Sequence, residues 1–382
     1  MSLLPYTDLH HAFRDTVQRF VDREIRPHYA QWERDGQVPR ALYRQAGELG
    51  LLLTGAATDY GGGGGDFLYA HIVQEELGFA GATGAQFGLH SDIVAPYIEH
   101  YGTEAQKRRW LPRMASGETI AGIAMTEPGA GSDLAGIRTR AERAPSGEWG
   151  LTGQKIFISN GQIADLFVVV AKTDPAAGAR GVSLFLVEPD RPGFARGRNL
   201  EKAGMDAQDT SELFLDGVRL PPDALLGEEG QGFRYLMTEL PQERLLVAIT
   251  AVAAAEEAVR LAVEYVEQRQ VFGKPVSALQ NTRFRLAECR TEAAVSRAFL
   301  EQCIAKHLKG ELGTEEASMA KWWCTEMQFR VTDACLQMFG GYGYMKEYPI
   351  SRLWADARVQ RIYGGTTEVM KEIVARGMFR GR

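Results

Sequence analysis

A polar, glycine-containing turn is the segment of this sequence best suited to hold an oxygen-rich ligand. It spans Ala124–Asp133 and reads AMTEPGAGSD. Gly129 and Gly131 let the backbone turn sharply and expose its amides, and the hydroxyls of Thr126 and Ser132 can donate to carbonyl or phosphate oxygens. The segment indicates a ligand-binding turn, although a polar turn of this composition is, taken alone, more often only a connection.

Several familiar chemistries are excluded by the motifs that the 382 residues lack. The sequence contains no H-E-x-x-H, C-x-x-C, G-x-S-x-G or G-x-x-x-x-G-K-[ST], and its seven histidines show no metal-ligand spacing. No G-x-G-x-x-G follows a strand, so a dinucleotide would have to bind by another arrangement. The five-glycine run Gly61–Gly65 has neither a preceding strand nor a following Lys-Ser/Thr, and we interpret it as a flexible surface loop. We predict no metal site.

The elements that must position the turn change character twice along the chain. Residues 1–118 show apolar residues at helical spacing, residues 119–230 contain short β-rich runs between turn residues, and residues 231–382 return to long helical periods. Alternating βαβ units are missing, which argues against a doubly wound fold. We therefore predict a mainly α protein in three domains: N-terminal helices, a middle antiparallel, β-barrel-like domain, and a C-terminal helical bundle.

Composition narrows the class of protein further. The net charge is −6 and no block of Lys or Arg stands out, which argues against a nucleic-acid-coating role. No segment approaches the about 18 apolar residues needed to span a bilayer, and the N-terminus MSLLPYTDLHH does not resemble a signal peptide. The four cysteines lie inside helical patterns, so we expect packed, reduced thiols and a cytoplasmic protein.

Five segments occur in order along the chain: AMTEPGAGSD at 124–133, KIFISNG at 155–161, RQVFG at 269–273 with Gln280, QMFGG at 337–341 and YGGTTE at 363–368. In these segments and their order the chain resembles the acyl-CoA dehydrogenase family, most closely its long-chain branch. This resemblance implies the family's fold, with a four-helix bundle at the C-terminus, and FAD bound between the β domain and the bundle.

The resemblance also assigns residues to the cofactor. Phe157 and Ser159 flank the isoalloxazine ring, in place of the Trp and Thr of many members, and this exchange keeps an aromatic face and a hydroxyl. The turn supplies contacts to the flavin edge, the pyrophosphate and the pantetheine arm of the substrate through Met125, Thr126, Gly131 and Ser132. The adenine end is expected at a subunit interface of a homotetramer, where it is held by Arg269, Phe272, Gln280, Gln337, Gly340, Gly341, Thr366 and Glu368.

A catalytic base is not where many family members carry it. In those members a Glu precedes the Gly-Thr of the last motif, whereas this chain has Gly364 there. The segment ELPQERL resembles the long-chain and isovaleryl branches, which place the base just before an Arg, and this resemblance makes Glu243 our candidate. Glu239, one turn earlier on the same face, is the alternative candidate for the base. We assign Arg244, about 100° around the helix from Glu243, to substrate or interface contacts.

The thioester oxygen also needs donors where enolate charge develops. By resemblance these are the backbone N–H of Gly364 and a ribityl hydroxyl of FAD, and Gly365 lies beside them in the substrate site. The acyl pocket is expected near His90–Ile98, HSDIVAPYI. Upstream, Ala85–Gln86 replaces the Pro-Gly of the long-chain branch, so the Gln86 side chain could form the bottom of the pocket and make it shorter. Medium, branched and long acyl groups all remain open as substrates.

The predicted function is FAD-dependent α,β-dehydrogenation of a fatty or branched acyl-CoA to the trans-2-enoyl-CoA, with an electron-transfer flavoprotein as acceptor. Two alternatives remain open. One is a monooxygenase or oxidase of the same fold that uses O₂. The other is a catalytically silent scaffold that binds flavin or acyl-CoA, an alternative supported only by the missing Glu at position 364.

Overall fold

The first third of the chain is helical, as predicted. The structure is a computed structural model that describes residues 3–379. Two of its helices begin at side chains that accept from otherwise free amides: Asp66 from the Leu68 amide and Thr103 from the Gln106 amide. The helices are α1 (Asp8–Phe20, continued by a π-helical turn at Val21–Ile25), α2 (Tyr29–Asp35), α3 (Arg40–Glu48), α4 (Phe67–Phe79), α5 (Ala95–Tyr101, preceded by a π-helical turn at Leu89–Val94) and α6 (Glu104–Ala115).

A single sheet follows, with strand order β6-β7-β3-β2-β4-β5-β8 and β1 beside β4. Its centre, β4 and β5, is a Val-, Leu- and Phe-rich pair that is buried along almost its whole length. The strands are β1 (Ala121–Ala124), β2 (Arg140–Arg143), β3 (Trp149–Ser159), β4 (Leu166–Lys172), β5 (Val182–Val187), β6 (Phe194–Asn199), β7 (Thr210–Leu220) and β8 (Leu225–Leu226).

The sheet is mostly antiparallel, as predicted, but it also contains two parallel strand pairs. Both β1 and β2 run parallel to β4, pairing with residues 166–169 and with Lys172 respectively. Strands β1 and β2 therefore pair with the same edge of β4, one after the other. The polar turn lies in the connection 125–139 between them. A parallel partner cannot be reached through a tight hairpin, and here β3 lies in the sequence between β2 and β4.

The last third is a bundle built around one long helix. Helix α7 has 37 residues, or about 55 Å at 1.5 Å per residue. Its alanine-rich middle lets α4 approach closely, since a Cβ on Gly78 would lie 2.8 Å from the Cβ of Ala253. The remaining elements are the short strands β9 (Gln270–Val271) and β10 (Lys274–Pro275) and the helices α8 (Gln280–Leu308), α9 (Thr314–Met338), α10 (Pro349–Gln360) and α11 (Thr367–Met378).

Two smaller features bear on the sequence predictions. The glycine run is not a loose loop, because the amides of Gly62–Gly65 donate to carbonyls of residues 53–57 and a Cβ on Gly63 would lie 2.6 Å from the Thr54 oxygen. Only glycine permits two backbones to approach so closely. The four cysteines are buried and free, as predicted. None of the helices within residues 3–379 combines the length and apolar character that crossing a bilayer demands.

Candidate active site

A cavity of about 430 Å³ lies where the three parts of the chain meet. Its wall combines α4, β1 and the turn after it, β3, α7 and the loop that precedes α11. Eleven residues predicted from sequence to serve the site lie on this wall: Gln86, Met125, Thr126, Gly131, Ser132, Phe157, Ser159, Glu243, Arg244, Gly364 and Gly365. The fold therefore brings segments from positions 86 to 365 of the sequence to one space.

Glu243 is a buried carboxylate on this wall, with 7% of its surface exposed. The hydroxyl of Tyr97, on α5, donates to its Oε1 atom at 2.8 Å. Burial raises the pKa of Glu243 to about 7, and the nearby carboxylate of Glu239 acts in the same direction. The Tyr97 hydrogen bond and the Arg244 guanidinium act the other way, because both favour the charged form. A carboxylate with this pKa can both accept and release a proton near neutral pH.

Glu239, one turn earlier on α7, is held elsewhere. Its Oε1 atom accepts from the Tyr101 hydroxyl at 2.7 Å and lies 2.9 Å from Nδ1 of His100. The hydrogen bond between Glu239 and His100 is the largest of the effects that raise the pKa of His100. Glu239 is not among the described residues that line the cavity. Sequence spacing alone put the carboxylates of Glu239 and Glu243 on one face of α7. Their hydrogen-bond partners separate them, because Tyr97 binds Glu243 whereas Tyr101 and His100 bind Glu239.

Two buried cationic side chains lie near the loop that carries Gly364 and Gly365, called here the glycine loop. Arg244 donates from Nη1 to the Ser318 hydroxyl at 3.2 Å, and within residues 3–379 no carboxylate lies within ion-pair distance of its guanidinium. Burial lowers its pKa. The ammonium group of Lys321 donates to the Gly365 carbonyl at 2.6 Å, and burial lowers the pKa of Lys321 to about 7. Arg244 therefore does not neutralise Glu243 by direct pairing.

The glycine loop itself adopts a backbone conformation that disfavours other residues. Gly364 and Gly365 have φ values of +64° and +100°. A Cβ built on Gly364 would lie 3.7 Å from Cγ2 of Val247, which is one turn after Glu243 on α7. Position 364 and Glu243 thus approach the same part of the cavity from opposite walls. This arrangement explains physically how a base could be supplied from either position.

The sheet contributes an exposed aromatic ring. Phe157 has φ +61° and lies at an irregularity of the β3–β7 pairing, between Lys155 and Ile158. A bulge of this kind re-aims a side chain, and here 64% of Phe157 is exposed although it lines the cavity. Two residues later, the Ser159 hydroxyl accepts from the side-chain amide of Gln208.

A buried ion pair braces the polar turn against the sheet. The Lys155 ammonium group lies 2.9 Å from Oε1 of Glu127 and donates to the Met125 carbonyl at 3.0 Å. Glu127 also accepts from the backbone amides of Arg138 and Thr139. Glu127 belongs to the motif AMTEPGAGSD, and its carboxylate connects the beginning of the segment 125–139 to the end of that segment, at the amides of Arg138 and Thr139. The turn's remaining polar groups are therefore presented to the cavity on a rigid support.

The other predicted cofactor residues lie away from the cavity wall. Six of them are exposed on the bundle, at the ends of α7, α8 and α9: Arg269, Phe272, Gln280, Gln337, Gly340 and Gly341. The Arg269 guanidinium lies 5.8 Å from the ring centroid of Tyr342, which places the α7 end near the turn after α9. Thr366 caps α11 by accepting from the Val369 amide, and Glu368 is exposed in its first turn. One chain alone does not bring these residues to the cavity.

Comparison with known proteins assigns the chain to a family. Models of the three acyl-CoA dehydrogenase domains match it in order: the N-terminal domain over residues 7–118, the middle domain over 122–218 and the C-terminal domain over 230–379. The chain belongs to the acyl-CoA dehydrogenase family. The mitochondrial long-chain specific acyl-CoA dehydrogenase of Sus scrofa is 51% identical over 373 residues, which cover 97% of this chain and 86% of the relative. The predicted resemblance to the family and to its long-chain branch is confirmed.

Solved acyl-CoA dehydrogenase structures confirm the fold class. The enzyme from Geobacillus kaustophilus has a TM-score of 0.97 at 49% identity and covers 99% of this chain and 100% of its own. A glutaryl-CoA dehydrogenase from Mycobacterium smegmatis in complex with FADH2 has a TM-score of 0.92 at 30% identity, with coverages of 98% and 95%. A chain in a structure of the electron transferring flavoprotein of Acidaminococcus fermentans has a TM-score of 0.95 at 32% identity, covering 100% of both chains.

Sequence reasoning missed four residues of this acyl-CoA dehydrogenase site. Tyr97 was part of the segment HSDIVAPYI, but nothing in the sequence pairs it with Glu243. Lys321 carried a usable signal, since a lysine among Met, Ala and Trp on a helix is unusual unless its ammonium group has a buried partner. Gln74 and Thr250 also line the cavity, and they carried no signal because each lies in an otherwise ordinary helical pattern.

Proposed function

We propose that this chain catalyses the α,β-dehydrogenation of an acyl-CoA thioester to the trans-2-enoyl-CoA, with Glu243 as the base. One observation carries the assignment of the base. A buried carboxylate whose pKa is raised to about 7 lies on the wall of a cavity shared with the exposed Phe157 ring and the Gly364 loop. A carboxyl group of this kind is ionised in a large fraction of molecules at neutral pH and is still basic enough to remove a weakly acidic proton.

The residues present fit FAD as the cofactor. An aromatic ring with 64% exposure inside a cavity leaves an apolar face for a planar ring system. Next to it, Met125, Thr126 and Ser132 offer backbone and hydroxyl groups of a turn that the Glu127–Lys155 ion pair holds in place. FAD, when bound, supplies the acceptor for the hydride that leaves the β-carbon. The FADH2 complex of the Mycobacterium smegmatis relative supports this proposal.

Within this scheme the chain's own groups have distinct tasks. Glu243 removes the α-proton, and Tyr97 orients its carboxylate through the 2.8 Å hydrogen bond. The N–H of Gly364 is proposed to donate to the thioester oxygen as negative charge develops there, which is typically among the larger contributions to such a barrier. Lys321 holds the loop that carries this amide, because its ammonium group binds the Gly365 carbonyl. The guanidinium group of Arg244 adds positive electrostatic potential to the cavity without forming an ion pair with Glu243.

The remaining proposals concern partners and assembly. We propose a homotetramer in which Arg269, Phe272, Gln280, Gln337 and the Gly340–Gly341 turn hold the adenine end of a neighbouring subunit's FAD, with Thr366 and Glu368 completing that site. The exposure of all of these residues except Thr366 on a single chain supports this arrangement. An electron-transfer flavoprotein is the proposed electron acceptor, and the free buried thiols support a cytoplasmic location. We propose the domain divisions at 118/119 and 230/231.

Anaerobic titration of the FAD-loaded protein with acyl-CoA tests the proposed reaction. We expect bleaching of the oxidised flavin spectrum and formation of the enoyl-CoA in equal amounts. After admission of air, rapid peroxide formation with turnover would instead indicate an oxidase. A flavin that binds but is not reduced by any acyl-CoA would indicate a silent scaffold, and the proposal would then be wrong.

A further inference from the structure

Helix α7 runs along the whole length of the cavity and gives it a direction. Met237, near one end of the lining, is 37% exposed, whereas Thr250, at the other end, is only 7% exposed. Glu243 lies between them. The lining is therefore more exposed at the N-terminal part of α7, and we place the closed end of the cavity near Thr250. A thioester bound with its α-carbon at Glu243 must direct its acyl tail toward the Thr250 end.

Two polar side chains close this blind end. The side-chain amide of Gln74, on α4, donates to the Thr250 hydroxyl at 2.6 Å, and that hydroxyl also lies 3.3 Å from the Leu246 carbonyl. On its other side the Gln74 amide lies against the backbone of Gly88, where even a Cβ atom would collide with Oε1. Gln74 is thus held between a hydrogen bond and a close backbone contact. It cannot move aside without losing one of them.

The surroundings of this pair are apolar. Leu77, Leu89 and Ile93 line the same region of the cavity. A carboxamide and a hydroxyl in such surroundings keep their hydrogen bond because an unpaired buried polar group is costly. A tail long enough to reach past them would have to separate Gln74 from Thr250, which breaks the hydrogen bond of the Gln74 amide and leaves the Thr250 hydroxyl with only the Leu246 carbonyl. Alkyl groups offer no hydrogen bond in exchange.

We infer that the hydrogen-bonded pair Gln74–Thr250 is the distal stop of the acyl pocket and makes this enzyme selective for acyl groups of medium length. The inference rests on the proposed function, since it takes Glu243 as the point where the α-carbon lies. It names two specificity-determining residues in place of Gln86, whose side-chain amide is tied back to the Thr83 carbonyl of its own loop.

The helix gives an approximate length for the tail. Glu243 and Thr250 are seven residues apart, which puts them on the same face of α7 and about 10 Å apart along its axis. An extended chain advances about 1.2 Å per bond, as the extended peptide backbone does over its three bonds per residue. About eight bonds therefore fit between the α-carbon and the stop, which corresponds to an acyl group of about eight to ten carbons.

The test is the chain-length profile of kcat/KM for straight acyl-CoAs from butyryl to stearoyl, measured with FAD-loaded enzyme and an artificial electron acceptor. For the unaltered chain we expect a maximum at octanoyl or decanoyl and a value for palmitoyl lower by about tenfold or more. In Gln74→Ala, which removes the stop, we expect the maximum to move by two to four carbons toward longer chains. Thr250→Val keeps the shape but removes the hydroxyl, and it should raise the palmitoyl to octanoyl ratio.

Gln45→Ala is the matched control, because Gln45 is an exposed glutamine that hydrogen-bonds only Glu24 among the described residues. Its profile should equal that of the unaltered chain. A maximum at palmitoyl in the unaltered chain would overturn the inference, and so would a profile that neither Gln74→Ala nor Thr250→Val changes. Either result would leave the dehydrogenation itself intact. Failure of every acyl-CoA to reduce the flavin would instead contradict the proposed function.

Discussion

The Tyr97 hydroxyl donates to Oε1 of Glu243 at 2.8 Å and so connects helix α5 of the N-terminal part with helix α7 of the bundle. Burial raises the pKa of Tyr97, so the hydroxyl stays protonated and remains a donor at any pH at which the enzyme works. The carboxylate of Glu243 is therefore oriented by a fixed partner and keeps one oxygen for the cavity. Its charge state, rather than that of Tyr97, should control the pH dependence.

Replacing the proposed base tests its role directly. Glu243→Gln keeps the size of the side chain and can still accept from Tyr97, but an amide cannot take up the α-proton. We expect the rate of anaerobic flavin reduction to fall by about 10²–10⁴-fold, the usual contribution of a general base, while FAD and acyl-CoA still bind. Stopped-flow spectroscopy of the flavin gives the rate, and titration with a slowly reacting acyl-CoA gives the affinity.

Glu239→Gln is the matched control for this experiment, since it makes the same exchange one turn away. Glu239 is bound by Tyr101 and His100 outside the cavity wall, so we expect a change of less than about threefold. A larger loss in Glu239→Gln than in Glu243→Gln would assign the base to Glu239 instead.

The pH dependence should follow the Glu243 carboxyl. Its pKa is raised to about 7 by burial, and the base acts only when deprotonated. The value of kcat/KM should therefore rise with pH through a midpoint near 7 and level off above it. In Tyr97→Phe the charged form loses a hydrogen bond worth about 1.5–3 kcal/mol, so the midpoint should move up by about one to two pH units.

The plateau at high pH distinguishes this effect from general damage to the site. Tyr97→Phe should recover much of its rate there, because the carboxylate is again ionised. A loss of equal size at every pH, with an unmoved midpoint, would show that Tyr97 does not set the pKa of Glu243. Tyr60→Phe is a suitable control, since the hydroxyl of Tyr60 binds the exposed Glu104.

The sequence allowed the fold and many cavity residues to be predicted, but not the contacts that tune them. The motif AMTEPGAGSD and the segment around Glu243 are contiguous, so their resemblance to family motifs could be recognised from short stretches of sequence. The Tyr97–Glu243 hydrogen bond joins residues 146 positions apart, and local patterns carry no information about such a pair. The same holds for Gln74 and Thr250, which are 176 positions apart.

Irregularities of the backbone could not be predicted from the sequence either. The resemblance to the family predicted that Phe157 faces the flavin, yet regular alternation along β3 does not explain its 64% exposure. The irregular β3–β7 pairing and the positive φ of Phe157 aim it into the cavity. Likewise β1 and β2 both pair with β4, which lies far along the chain from β1, and the polar turn lies between them. Both features depend on long-range pairing, which a single sequence does not display.

Lys321 offers a prediction about the glycine loop. In Lys321→Met the ammonium group that binds the Gly365 carbonyl at 2.6 Å is lost, while a side chain of similar length fills the space. If the Gly364 amide is the proposed donor to the thioester, its misplacement should lower the rate of flavin reduction by about 10–10³-fold, up to the loss seen when one such donor is removed. The dissociation constant of the acyl-CoA should change by less than about threefold.

The difference between rate and affinity is the informative readout here, because a merely structural defect would weaken both. Lys346→Met is the control, since Lys346 is an exposed lysine paired with Asp206. It should leave rate and affinity unchanged. If Lys321→Met weakens acyl-CoA binding as much as it slows reduction, Lys321 does not act by positioning the Gly364 amide.

The raised pKa of Glu243 also has a consequence for stability. Its pKa is 4.5 in the ordinary state and about 7 in the fold, so between these values the folded chain binds a proton that the unfolded chain releases. The contribution of this group to stability is therefore greatest below pH 4.5 and is lost as the pH rises to 7. A shift of about 2.5 units corresponds to about 3 kcal/mol, which the ionised carboxylate costs the fold at pH 8.

Glu243→Gln removes this cost, because an amide does not ionise. We expect its free energy of unfolding, measured by urea denaturation of the FAD-loaded protein, to exceed that of the unaltered chain by up to about 3 kcal/mol at pH 8 and by much less near pH 5. Glu267→Gln, on the exposed side of the same helix, should show no such pH-dependent difference. A constant difference between Glu243→Gln and the unaltered chain from pH 5 to 8 would mean that Glu243 ionises in the fold at its ordinary pKa, and that the base is not held in the poorly solvated state its proposed role requires.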